Sequence, residues 1–183
     1  MGYWIGAGIA AAVVGAVGWL MARSWRRRTE RDAALSAYPV PAELGAPTIE
    51  CEVLYVATTP EGEPLERLAL LGLAFRGAGR VEVTPAGVVL RVAGELPGFL
   101  PADRIAGATR ATWAIDRSVE PEGLVAITWI ANESEPAPTP TRVDSYLRAR
   151  YPGDAASIIA AVTDIAAAPE PRPADTHESE ASE

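Results

Sequence analysis

The chain has 183 residues, enough for one ordinary domain with extensions and too few for two large ones. Hydrophobic residues make up 49%, so most of the chain can bury a core, while the net charge of −8 excludes the basic surface that a nucleic-acid binder needs. A single cysteine, Cys51, and a single histidine, His177 near the C-terminus, exclude an internal disulfide, a cysteine-based metal cluster and a histidine-dependent triad in the body.

Charge is distributed unevenly. Residues 1–32 carry five arginines and two acids, whereas residues 33–183 carry eleven arginines and twenty-two acids. A basic collar before an acidic body predicts two regions facing different environments.

The first element follows from an uncharged run, Tyr3 to Ala22. As a helix, twenty residues reach ~30 Å, the thickness of the bilayer hydrocarbon. Tyr3 and Trp4 at one end, with Trp19 and Trp25 near the other, supply the aromatic belts. Residues 1–22 are therefore expected to be a transmembrane helix. Residues 23–32 form a basic juxtamembrane collar of Arg23, Arg26, Arg27, Arg28 and Arg31. Arginines follow the span and none precedes it, so the N-terminus is expected outside and the body in the cytoplasm. A cleaved secretory signal is the alternative, but only Met1 and Gly2 precede the apolar stretch, where a signal needs a basic start. Gly2, Gly6, Gly8, Ala11, Ala12 and Gly15 form a ridge of small residues that would allow two spans to pair as a homodimer, although an Ala/Gly-rich composition is the preferred explanation of it.

Residues 33–48 contain Pro39, Pro41, Pro47 and Gly45 without helical or alternating pattern, and read as a linker. As a flexible coil it would span ~20–24 Å, beyond the ~8 Å Debye length. It would then hold the acidic body clear of an anionic leaflet.

Period-two alternation dominates from Ile49. Cys51, Val53, Tyr55 and Ala57 share one strand face. Pro64–Leu71 has helical spacing. Val81–Val83 and Val88–Val92 form a hairpin around Pro85-Ala86-Gly87. A further strand is expected over Thr109–Ile115, a central strand over Leu124–Ile130, and a last strand over Thr141–Arg148. Asp154 caps a helix whose Ile158, Ile159, Val162 and Ile165 share a face, and Pro169 ends it. Residues 169–183 have five acids and no large apolar side chain, and are expected to be a disordered acidic tail.

Six or seven short strands followed by one amphipathic helix is the order of a curled sheet plugged at its open end. The stretches Tyr55-Val56-Ala57-Thr58-Thr59, Val83-Thr84-Pro85-Ala86-Gly87-Val88, Phe99-Leu100-Pro101-Ala102 and Gly123-Leu124-Val125-Ala126-Ile127-Thr128-Trp129 resemble the membrane-anchored, pleckstrin-homology-like (PH-like) proteins of actinobacteria. That resemblance implies a mainly β fold over residues 49–168: a seven-stranded PH-like barrel capped by a C-terminal helix, non-catalytic in role.

Candidate sites are few. Cys51 lies between Glu50 and Glu52, the wrong partners for a nucleophilic thiol, and reads as core. Gly77 and Gly79 lack the third glycine of a dinucleotide fingerprint, Glu82 standing in its place, and read as a turn. Asn132-Glu133-Ser134 fits a glycosylation sequon, idle on a cytoplasmic body. Arg67, Arg76 and Arg80 lie where PH-like relatives hold lipid phosphates, but Glu61, Glu63 and Glu66 accompany them. Trp113, Trp129 and Arg104 are candidate protein-contact residues, with core placement the alternative for the tryptophans. No catalytic, cofactor or metal set emerges. The expected function is a membrane-tethered cytoplasmic module that binds another protein, with lipid-headgroup sensing or an accessory role in a membrane-associated enzyme or transport complex as alternatives.

Overall fold

The computed structural model describes residues 13–24, 26, 32, 34–111, 113–114, 117–118, 123–134 and 138–166, with no side-chain description over 112–122. The expected acidic tail lies outside these residues. Helix α1 covers residues 13–24. Among the described residues, eleven strands and two further helical elements follow: β1 (Leu35–Ser36), β2 (Ile49–Pro60), β3 (Gly77–Thr84), β4 (Gly87–Val92), β5 (Gly98–Pro101), a 3-10 turn (Ala102–Arg104), β6 (Ile105–Ala111), β7 (Trp113–Ala114), β8 (Arg117–Ser118), β9 (Leu124–Ile130), β10 (Asn132–Glu133), β11 (Arg142–Ala149) and α2 (Asp154–Ala166).

Seven of the strands form one antiparallel sheet in the order β5-β4-β3-β2-β11-β9-β6. The twelve-residue β2 turns the corner. Its first half, Ile49–Tyr55, pairs with β3, and its second half, from Val53 to Pro60, pairs with β11. Alternation explains the inner face: Cys51, Val53, Tyr55 and Ala57 are all buried. The β3–β4 hairpin forms around the expected turn, and the apolar β9 runs between β11 and β6. In β11, Val143, Ser145 and Leu147 are buried as their shared face predicts, and so are Asp144 and Tyr146 opposite them. Tyr146 joins Leu124 and Ala126 in a small second cluster on the far face of the sheet.

The curled sheet does not close as a barrel. Edge strands β5 and β6 do not pair with each other. β5 is only four residues long, and α2 instead lies across β6 and reaches β2 and β9. Ile158 and Val162 are buried against the main core, with Ile159 and Ile165 packed beside them. Gly153, at φ +92°, accepts the first helical bond from Ser157 N–H, so Asp154 opens the first turn rather than capping it.

Three local expectations fail, wholly or in part, for physical reasons. Pro64–Leu71 is not helical: the Leu68 N–H donates to the Thr58 carbonyl at 2.9 Å, and the extended chain buries Leu68, Leu70 and Leu73 while leaving Leu65 and Leu71 exposed. Strand pairing with β2 overrides local helix propensity. The strand expected over Thr109–Ile115 is met in part: Thr109–Ala111 end β6, which starts earlier, at Ile105, with a bulge between Ile105 and Gly107, and Trp113–Ala114 form the separate β7; Ile115 falls outside the described residues. Gly77 and Gly79 are in β3, not a turn. A Cβ at Gly79 would sit 2.5 Å from the Arg91 carbonyl oxygen, so glycine permits the close approach of β4.

The expected linker is also seated on the body. Leu35–Ser36 pairs with Asn132–Glu133, Ser36 bridges Leu71, and Tyr38 exchanges both backbone hydrogen bonds with Phe99 at 3.0 Å. The last contact covers the outer edge of β5. Thr48 N–H then donates to Val83 O at 2.7 Å. Backbone pairing along the segment holds it without the apolar alternation that would betray a strand.

Candidate functional site

At the N-terminal end, residues 13–22 of α1 carry no polar side chain and are exposed, with Val14 72%, Met21 70% and Trp19 62% accessible. The Arg23 guanidinium lies 5.5 Å from the Trp19 ring centroid, a cation–π contact. Among the described residues no helix is long and apolar enough to cross a membrane. Tyr3, Trp4, Trp25, Arg27 and Arg28, with the first part of the expected span, lie outside the described residues, while Arg26 is exposed.

Asp32 marks where the chain meets the body. Its side chain is 1% exposed and its Oδ2 accepts the Ala69 N–H at 3.0 Å. The sequon residues secure the next turn. Asn132 Nδ2 donates to Ser36 Oγ at 3.1 Å, and Ser134 N–H and hydroxyl both donate to the Ala34 carbonyl, at 2.9 and 3.3 Å. Glu133 Oε1 accepts the Thr141 N–H at 2.8 Å. The triplet Asn132-Glu133-Ser134 is thus a clamp on the N-terminal segment, a role its sequence does not announce.

The remaining candidates separate rather than converge. Trp129 is fully buried and its indole N–H donates to Ser145 Oγ at 2.9 Å, so it is a core residue and not a surface anchor. The Trp113 side chain lies outside the described residues. Arg104 ends the 3-10 turn, half exposed, with its Nε 3.4 Å from Asp103 Oδ2. Arg80 pairs with Glu50, and Arg76 is exposed at the start of the β3 segment; the two are four residues apart on an extended chain, about 13 Å. Arg67 has one guanidinium nitrogen, Nη2, buried without a partner. Of the three, Arg80 is already engaged by a carboxylate.

The buried polar groups support the fold. Tyr55 Oη lies 2.9 Å from Thr58 Oγ1 and donates to the Leu73 carbonyl at 2.8 Å, and Thr58 Oγ1 lies 2.7 Å from Ser145 Oγ. Burial pushes the Tyr55 phenol far above its ordinary value, which keeps it protonated. Asp144 accepts from Thr128 Oγ1 at 2.7 Å and from Gly62 N–H at 3.3 Å, fixing the turn after β2. Cys51 is buried, and its thiol is pushed up by burial and then by the Asp154 and Glu50 carboxylates, the reverse of what a nucleophile needs. Among the described residues no group of three His, Cys, Asp or Glu side chains is placed to hold a metal ion.

One open groove of about 460 Å³ runs beside the seated N-terminal segment, walled by Ala37, Tyr38, Val40, Leu71, Leu96 and Pro97.

A strongly bent antiparallel sheet, left open between its edge strands and covered by a C-terminal amphipathic helix, defines a PH-like architecture. The Bacterial PH domain-like family matches residues 33–163, most of the chain, and this chain belongs to that family. The match begins at residue 33, so it includes the segment clamped by Asn132 and Ser134 as well as the sheet and most of α2. No curated protein matches the chain. PH-like domains are generally non-catalytic and serve as binding or scaffolding modules.

Proposed function

We propose that this protein is a single-pass membrane protein of actinobacterial type whose PH-like body, on the cytoplasmic side, binds another protein and has no catalytic role. The observation that carries the reading is the pairing of two regions: an apolar N-terminal stretch ending in arginines, and a body whose buried polar groups are spent on the fold. An apolar helix with no protein packed around it needs lipid, and exposed Val13, Val14, Val17, Leu20 and Met21 supply such a helix. With Tyr3 to Ala22 uncharged, the span reaches the required length. The Trp19–Arg23 contact suits the membrane boundary, where both side chains are favoured.

The partner surface follows from what is already covered. Tyr38 occupies the edge of β5, leaving β6 as the sheet edge, blunted by its bulge at Gly107 and flanked by α2. A partner would contact that edge and the exposed side of α2. Headgroup sensing is the weaker alternative, because Arg80 is already paired and the body is acidic.

The test is protease shaving of intact cells and of inverted vesicles, combined with cross-linking of the full chain in its native membrane. Protection of the body in intact cells, its digestion in inverted vesicles, and a cross-linked partner lost on Thr109→Pro support the reading. Recovery of the full chain in the soluble fraction, or digestion of the body from outside, overturns it.

A further inference from the structure

The described residues contain a surface that differs from the rest of the body in both charge and hydropathy. Residues 33–42, 68–75 and 92–102 carry one charge between them, Glu95, whereas residues 33–183 as a whole carry thirty-three. The fold gathers these three segments. Ser36 bridges Leu71, Tyr38 pairs with Phe99, and a Cβ added at Gly72 would lie 2.9 Å from the Leu96 carbonyl oxygen. Glu95 Oε1 accepts the Phe75 N–H at 3.2 Å, which joins the two loops and engages the one carboxylate. On this surface Leu71, Phe75 and Leu96 stand 67%, 59% and 65% exposed beside the groove, and Arg76 follows at its rim. Three large apolar side chains exposed together on an otherwise acidic domain mark a contact surface.

The chain itself indicates what covers it. Asp32 is buried on Ala69, two residues before Leu71, and Ser24 is the last residue of the described apolar helix, eight residues before Asp32. Eight residues reach at most about 28 Å when fully extended. The N-terminal helix therefore joins the body within that reach of the uncharged surface, and the seated segment removes the long free tether that would let the body turn away. The other acids of residues 33–183 lie outside these three segments, and an anionic leaflet repels them.

We infer that Leu71, Phe75 and Leu96 rest on the bilayer interface, so that the PH-like body sits directly against the membrane with this edge toward the lipid and the β6–α2 side toward the cytoplasm. The inference rests on the membrane-anchor reading above. Apolar tips with a flanking arginine suit the boundary between headgroups and acyl chains. The bound surface is lipid, not a second copy of the chain or its own apolar helix.

The experiment uses the full chain with Cys51→Ala, carrying an environment-sensitive fluorophore at Leu96→Cys or, as a control, at Ala86→Cys, reconstituted into vesicles of zwitterionic and anionic phospholipid. Ala86 lies at the opposite end of the six-residue β4, about 20 Å away. Spin-labelled lipid in the vesicles should quench the probe at position 96 by about twofold or more, as expected for a group seated ~5–10 Å into the interface, and leave the probe at position 86 unaffected. Leu71→Asn with Phe75→Asn should reduce that quenching without releasing the chain from the vesicles. Equal quenching at both positions, or none at either in a chain that floats with the vesicles, overturns the inference and leaves the anchor standing. A blue-shifted probe at position 96 that lipid does not quench means that protein covers the surface, which also overturns it. A chain that does not float overturns the anchor and the inference together.

Discussion

The indole of Trp129 and the phenol of Tyr55 are the two ends of one buried hydrogen-bond chain that crosses the sheet from β9 through β11 to β2. Its direction can be deduced. Tyr55 donates to the Leu73 carbonyl, so it must accept from Thr58; Thr58 must then accept from Ser145, which accepts the Trp129 N–H. Every hydroxyl donates once and accepts once, and aligned bonds in a dry interior reinforce one another.

Breaking that chain should cost more than the loss of one surface hydrogen bond. Ser145→Ala strands the indole N–H and removes the bond that Thr58 accepts, and Tyr55→Phe strands the Thr58 O–H and the Leu73 carbonyl. Each is expected to lower unfolding free energy by about 1–3 kcal/mol. The double variant should lose less than the sum, because both changes interrupt the same chain. Urea unfolding of the four proteins checks this. A Ser145→Ala loss below about 0.5 kcal/mol, the least that an ordinary hydrogen bond contributes, would contradict the assigned connectivity.

The N-terminal clamp predicts a local effect. Asn132→Ala combined with Ser134→Ala removes the side-chain hold on Ser36 and one of two bonds to Ala34. Amide exchange at Tyr38 and Phe99 should accelerate roughly two- to tenfold, the factor for losing ~0.5–1.5 kcal/mol of local stability, with the amides of β9 unchanged. Asp32→Ala should expose the Ala69 amide in the same way. Exchange that is unchanged at Tyr38 would show that the backbone pairs alone hold the segment.

Legibility in the sequence follows the physics of each element. The inner face of β2, the β3–β4 hairpin and the buried stripe of α2 could be read because burial of one face imposes a period. The seated segment could not: its residues are held by main-chain bonds at Tyr38 and by side chains a hundred positions away at Asn132 and Ser134, and neither leaves a pattern in Leu35–Val40. Leu68 and Leu70 misled in the opposite direction, since leucines at mixed spacing fit a helix until the bridge to Thr58 makes the chain extended. Trp129 could be placed in the core from its apolar neighbours. Its partner Ser145 could not, because pairing of β9 with β11 is a long-range fact. The uncharged surface was visible only as three separate apolar stretches until the fold joined them.

Alkaline pH should weaken the fold from about pH 9 upward. Burial raises the Cys51 thiol above its ordinary 9.0 and is the first cause of the raised Tyr38 and Tyr146 phenols, whose ordinary value is 10.0; Tyr55 is raised furthest. In each case the unfolded chain releases its proton before the folded one. Folding stability is therefore constant at neutral pH and falls as pH passes the unfolded values, by up to ~1.4 kcal/mol per pH unit for each group in its window. Cys51→Ala should delay the onset toward pH 10 and leave the tyrosine part intact. Urea midpoints measured from pH 7 to 11 would reveal the two stages. A profile that is flat to pH 11 would contradict the burial of Cys51, Tyr55 and Tyr146.

Gly87 and Gly94 separate two reasons for glycine. Both adopt positive φ, +150° at Gly87 and +85° at Gly94. A Cβ at Gly94 would meet nothing, whereas one at Gly87 would run into the Leu100 carbonyl oxygen and the Phe99 ring of the neighbouring β5. Gly94→Ala should therefore cost only the backbone term, about 1–2 kcal/mol. Gly87→Ala carries that strain and must also push β5 away from β4, which adds an overpacking cost of about 1–3 kcal/mol. β5 is the four-residue edge strand whose other side is covered by Tyr38, so its displacement should also loosen the seated segment. Urea unfolding should rank Gly87→Ala well below Gly94→Ala in stability. Exchange of the Tyr38 amide should accelerate in the first variant and stay unchanged in the second, and equal costs for the two would show that β5 yields freely.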